Sequence, residues 1–147
     1  MNLVSDIQTI ITTLYPDATQ ILSSKFQANV TAFLTELTEL PLIIIDNELS
    51  KVADIKKNNN VQKDSKILIT FLNLDEAGNT DVQSDAIRSS MEAMADRVAV
   101  RIYQLIPCRL ISGNQKYKLT PMFHVFSSNL TGVALEMQCN YNQIVNF

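Results

Sequence analysis

Between Thr80 and Ile106 the apolar residues Ile87, Met91, Met94, Val98, Ile102 and Leu105 recur at steps of four, three, four, four and three, which places them on one stripe of an α-helix. Thr80 followed by Gln83 predicts a capping box. Asp81 and Asp85 stand in the first turns, where the helix dipole favours acids, and Pro107 blocks continuation. A helix of about 25 residues is roughly 37 Å long at 1.5 Å per residue, enough to lie across a small sheet. A stripe of that length needs one continuous apolar surface, and the flanking segments must build it.

Those segments read as follows. Leu3, Ile7, Ile10, Ile11 and Leu14 share helical spacing, with Pro16 as the stop. A second N-terminal helix is predicted from Ser24, with Phe26, Val30, Phe33, Leu37 and Leu40 on one face and Pro41 at its end. Leu42 to Ile45 is a short apolar run ending in Asp46, a strand buried on both faces. Lys66 to Leu72 is apolar on both sides of the pleat and predicts a central strand. Arg109 to Ser112 is a short strand candidate. Gln115 to Phe126 carries Pro121, which assigns it to an edge or a bulge. Val133, Leu135, Met137, Cys139 and Tyr141 alternate with Ala134, Glu136, Gln138 and Asn140, the period of a half-buried strand hairpinned to the one before it. The fold class is therefore α+β: a single domain over 1–147, with a mixed, largely antiparallel sheet backed by the long helix (80–106), two N-terminal helices and a C-terminal β-hairpin. A length of 147 residues suits one such core.

Between Asn47 and Lys66 the composition turns to Lys, Asn, Asp and Gln. Too little apolar surface is present there to order the segment by burial, so it reads as a polar arm or loop with one or two helical turns over Glu48 to Ile55. The other unassigned segment is a C-terminal tail at 142–147, whose Ile144, Val145 and Phe147 have no evident partner in the domain. Lys56, Lys57 and Asn59 of the arm, with Ile144, Val145 and Phe147 of the tail, are the candidate subunit-interface residues.

Chemistry is sparse. Cys108 and Cys139 lie 31 residues apart without CxxC spacing and with His124 as the one histidine, so a zinc site is not expected, and two buried thiols is a simpler reading than a bridge. Glycines 78, 113 and 132 are isolated, which removes phosphate-cradling loops. A lone strand histidine reads as structural or solvent-exposed. Asp75 and Glu76 read as turn residues ahead of the helix cap. With Asp46 they form the competing expectation, a small metal-dependent hydrolase or nuclease. Arg97 and Arg101, one turn apart, complement the helix dipole, and Lys116 and Lys118 look like edge protection. A net charge of -3 argues against a dominant basic nucleic-acid surface. No run has the ~18 apolar residues of a membrane span, and the N-terminus MNLVSD lacks the features of a signal peptide. No cofactor is expected, and synthesis in a cytoplasm makes the sequons at Asn29 and Asn129 accidental.

The order of elements carries a resemblance. One or two N-terminal helices, PLIIID, a polar stretch, KILITFLNLDE, a long helix, then KLTPMFHVF and SSNLTGVALEMQCNYN resemble the small α+β neck proteins of tailed bacteriophages, the tail-terminator or head-to-tail connector subunits, nearest to ring proteins of phages of Bacteroides-like hosts. The resemblance covers roughly residues 22 to 142 and contains no diagnostic motif. It implies a non-enzymatic virion protein, made in the host bacterial cytoplasm, that packs with itself into a six- or twelve-fold ring. Such a ring would join portal and tail proteins around a channel through which DNA passes without sequence-specific binding.

Overall fold

The computed structural model describes residues 2–22, 41–46, 50–106, 116–125 and 129–147. In chain order these form α1 (Leu3–Leu14), β1 (Thr19–Leu22), β2 (Leu42–Ile45), β3 (Ser50–Ile55), β4 (Asn60–Leu74), α2 (Asp81–Leu105), β5 (Tyr117–Val125) and β6 (Leu130–Ile144). The fold is α+β, with a six-stranded, mostly antiparallel open sheet ordered β1-β2-β4-β6-β5 and β3 paired to β4 off that path. The one parallel pair is β1 with β2. The second N-terminal helix and the strand at 109–112 fall outside the described residues, as does Cys108.

The sheet is organised around two fifteen-residue strands, β4 and β6, paired along their whole length from Asn60↔Ile144 to Leu74↔Leu130. Over the half nearer Leu74, β2 flanks β4 and β5 flanks β6. Over the other half, β3 pairs with β4 from Ser50↔Lys66 to Ile55↔Val61. The pleat sends Ile67, Ile69 and Phe71 to the same face as Val133, Leu135, Met137, Cys139 and Tyr141, where they join Ile7 and Ile11 of α1 and Met91, Ala95, Val98 and Ile102 of α2 in one buried cluster. Each such large side chain contributes about 1.5–3 kcal/mol by leaving water. Leu42, Ile44, Leu72 and Leu130 form a second buried cluster with Ile21, Met122 and Val125, which is why β2 is apolar at every position.

The caps behave as written in the sequence. Asn2 accepts from the Ser5 N–H at the start of α1. Thr80 and Gln83 form the reciprocal capping box of α2. The buried face of α2 is wider than the expected stripe: Ser84, Ala95 and Ala99 join Met91, Val98 and Ile102, while Leu105 is exposed and Ile106 is buried in its place. Small residues let the helix approach the sheet closely, a signal invisible when only large apolar residues are counted.

Three expectations are corrected. The polar arm or loop at 47–66 is, over its described part, β3, a turn and the first half of β4. Ladder hydrogen bonds hold it rather than burial, so its composition never shows an apolar period. No helical turn forms at 50–55, which is strand. The tail expected at 142–147 begins later, since β6 runs through Ile144 and only 145–147 lie beyond it. Finally, β1 had no sequence signature; its four half-buried residues are too few to show a period. Pro121 sits on the edge strand β5 beside a register shift between Met122 and Val125, as a residue without an N–H donor requires.

Candidate functional site

Two places collect the residues that sequence chemistry singled out. The first lies where β4 ends. The Asp75 N–H donates to the Asn129 carbonyl at 2.7 Å, and the chain turns through Ala77 and Gly78 into the Thr80 cap. The Asp75 side chain is fully buried. Its Oδ1 accepts from Asn79 Nδ2 and Ser84 Oγ, both at 2.9 Å, and its Oδ2 accepts from Thr131 Oγ1 at 2.7 Å. His124 Nε2 lies 3.3 Å from the same Oδ2. Burial pushes the carboxyl pKa up, but the hydrogen bonds from Asn79, Thr131 and Ser84, with the nearby His124, outweigh it and hold the group below its ordinary 3.8.

His124 reaches Asp75 because the β5 bulge re-aims it: its backbone φ is 49°, in the left-handed region. Its N–H donates to Thr131 Oγ1 at 3.2 Å, and its ring stays half exposed. A buried carboxylate beside an imidazole is half of an acid–base relay. The hydroxyls in reach, Ser84 and Thr131, are spent as donors to the carboxylate, so the cluster clasps the β4–α2 turn, β5 and β6 together. Asp75 is a turn residue as its position suggested. The contact with His124, 49 positions later, needed the bulge and could not be read in advance.

Asp46 and Glu76 do not join this cluster. The Asp46 N–H donates to the Leu68 carbonyl, and the seven residues from there to Asp75 span about 23 Å of strand. Glu76 opens the turn, accepting from the Asn79 N–H through its carbonyl, and its side chain is exposed. Among the described residues no group of three or more His, Cys, Asp and Glu is placed to hold a metal ion.

The second place is the far end of the β3–β4–β6 ribbon, and it brings the interface candidates together. Lys56 and Lys57 lead into a turn whose Asn58 and Asn59 both have left-handed φ, 60° and 57°, closed by the Asn60 N–H to Lys57 carbonyl bond. Asparagine tolerates that conformation better than other non-glycine residues, so the Asn run is turn chemistry. The Val145 N–H donates to the Asn59 carbonyl at 2.8 Å, which fixes the tail beside the turn. Apolar side chains at this tip are uncovered: Ile55 is 89% exposed, Ile144 68% and Phe147 fully. Along the ribbon, Lys63 Nζ donates to Gln143 Oε1 and Gln62 Nε2 to Asn140 Oδ1, side-chain rungs that brace β4 against β6.

Elsewhere, Lys66 pairs with Glu136, and Lys118 stands opposite that acid on the edge strand. Arg97 lies over the Tyr15 ring, 5.3 Å from its centroid, so it braces α1 against α2 in addition to any dipole role. No model of a known protein family matches the chain, and no curated protein matches it.

Proposed function

We propose that this chain is a virion structural protein of a tailed phage, a ring-forming subunit of the neck that joins head to tail around the DNA channel, as a tail terminator or head-to-tail connector. The observation that carries the reading is the ribbon tip, where β3 and the C-terminal segment leave Ile55, Ile144, Val145 and Phe147 exposed at one end of the sheet. Exposed apolar side chains gathered at one end of a fold mark protein contacts, and a ring needs a heterologous one. In this reading a second N-terminal helix over 24–40 adds to α1, and the subunit is not an enzyme. Light scattering coupled to size exclusion, across a concentration series, tests it. A closed ring of six or twelve copies is expected, and a single chain at every concentration would overturn it.

A second reading, a small hydrolase or nuclease, draws on the Asp75–His124 contact. In its metal-dependent form it needs Asp46, which stands about 23 Å along the strand from Asp75. Titration with Mg²⁺ or Mn²⁺ decides it: binding that Asp75→Asn abolishes would support this reading, and no binding would remove it.

A further inference from the structure

The last turn of α1 and the C-terminal half of α2 enclose a groove of about 420 Å³, lined chiefly by Leu14, Asp96, Arg97, Val100 and Arg101. Its floor is apolar, and Val100 is half exposed there with no described side chain over it. The one acid is occupied, since Asp96 Oδ1 accepts from the Tyr117 hydroxyl at 2.8 Å. The two guanidiniums set the chemistry. Arg97 already lies over an aromatic ring, that of Tyr15. Arg101 Nη1 donates to Gln104 Oε1 at 3.2 Å, and the same side chain lines the groove. An apolar floor beside two guanidiniums fits an aromatic side chain carried on a short apolar segment.

The chain displays such a segment. Phe147 is the most exposed aromatic residue among those described, at 106%, with Ile144 and Val145 behind it. None of these residues lines the groove of its own chain, and Val145 is tied to Asn59 at the ribbon tip. We propose that Phe147, supported by Ile144 and Val145, seats in the α1–α2 groove of a second copy of this chain. This rests on the ring reading and names its contact. Knob and socket are different patches of one surface, so copies join head to tail, the arrangement that closes a ring.

The test replaces Phe147 with the photo-crosslinker benzoylphenylalanine in isotopically light chain mixed with heavy chain, and maps the adducts by mass spectrometry. Light-to-heavy adducts at residues 13–14 and 96–104 are the expected result, and adducts elsewhere, or only within one chain, overturn the proposal. Light scattering on Val100→Glu and Phe147→Ser, both at exposed positions and checked for fold by circular dichroism, adds a second readout. A fall from ring mass to the mass of one chain in both variants supports the contact. A ring that survives both substitutions removes the knob-and-socket contact and leaves the ring reading standing. A wild-type protein that is a single chain at every concentration removes both.

Discussion

Gly132 offers the sharpest test of the sheet. It stands opposite Leu72 in the β4–β6 ladder and opposite Met122 in the β5–β6 ladder, so its backbone is held from both sides. A methyl group added at its Cα would lie 1.7 Å from the Phe71 carbonyl oxygen and 2.8 Å from the carbonyl carbon. Overpacking of a core costs typically 1–3 kcal/mol because side chains give way. Here the obstacle is main chain in the central strand pair and cannot rotate aside, so Gly132→Ala should reach the upper end, about 3 kcal/mol. In a chain of this length 1 kcal/mol moves the melting temperature by about 2–4 °C, so the variant should melt about 6–12 °C below wild type. Thermal and urea unfolding followed by circular dichroism measure it. Gly78→Ala is the control, because a Cβ at Gly78 meets nothing within 4 Å, and its change should stay within about 0.5 kcal/mol. A Gly132→Ala variant as stable as that control would refute the close approach and with it the register of the β4–β6 pair.

The other predictions concern the turn, the core and the clasp. Asn59→Val puts a β-branched residue at φ 57° and should cost about 1–2 kcal/mol in urea unfolding, whereas Asn59→Gly should not destabilise. Met91→Ala empties a buried position on α2 and should cost about 2–5 kcal/mol by the same assay. Thr131→Val removes the hydroxyl that donates to Asp75 and accepts from the His124 N–H. It should destabilise far more than Thr9→Val, whose hydroxyl bonds the Ser5 carbonyl on the exposed side of α1. The Asp75 carboxyl titrates below its ordinary 3.8 in the folded chain. Its contribution is complete above that pH and is lost as pH falls through the folded value. The stability gap between wild type and Asp75→Asn should therefore hold steady from neutral pH to about pH 5 and narrow in stronger acid.

Legibility followed the source of stabilisation. Where burial orders the chain, the period shows it: α1 and α2 with their caps, the all-apolar β2, the middle of β4, and the alternation of β6 from Val133 to Tyr141. Where ladder hydrogen bonds or local backbone geometry do the ordering, composition misleads. Residues 51–55 and 60–64 have exposed or half-buried side chains and so resemble a loop. The Asn58–Asn59 pair resembles low complexity until its left-handed φ values identify a turn. The Asp75 cluster was half legible: the turn and the cap were written locally. Its link to His124 depends on a bulge, and a bulge shifts register by a residue without leaving a mark in hydrophobic pattern.

The length of β4 and β6 bears on where a partner must be. Helix and sheet close a core over the rows from Ile67 to Phe71, and Cys139 and Tyr141 extend it by two more. Beside the rows from Val61 to Lys66, which include those two, runs β3, whose residues from Lys51 to Ile55 are all exposed, with Val52 at 65% and Ile55 at 89%. As a short edge strand carrying Lys51 and Asp54, β3 is guarded against pairing with another sheet edge, but the ribbon it joins buries little apolar surface of its own. Lengthening the two central strands to hold such a ribbon exposes apolar surface at its tip, which folding of this chain alone does not offset. Contact with something outside the chain would offset it. The proposed contact supplies such a partner: the groove between α1 and α2 of a second copy, apolar and rimmed by Arg97 and Arg101.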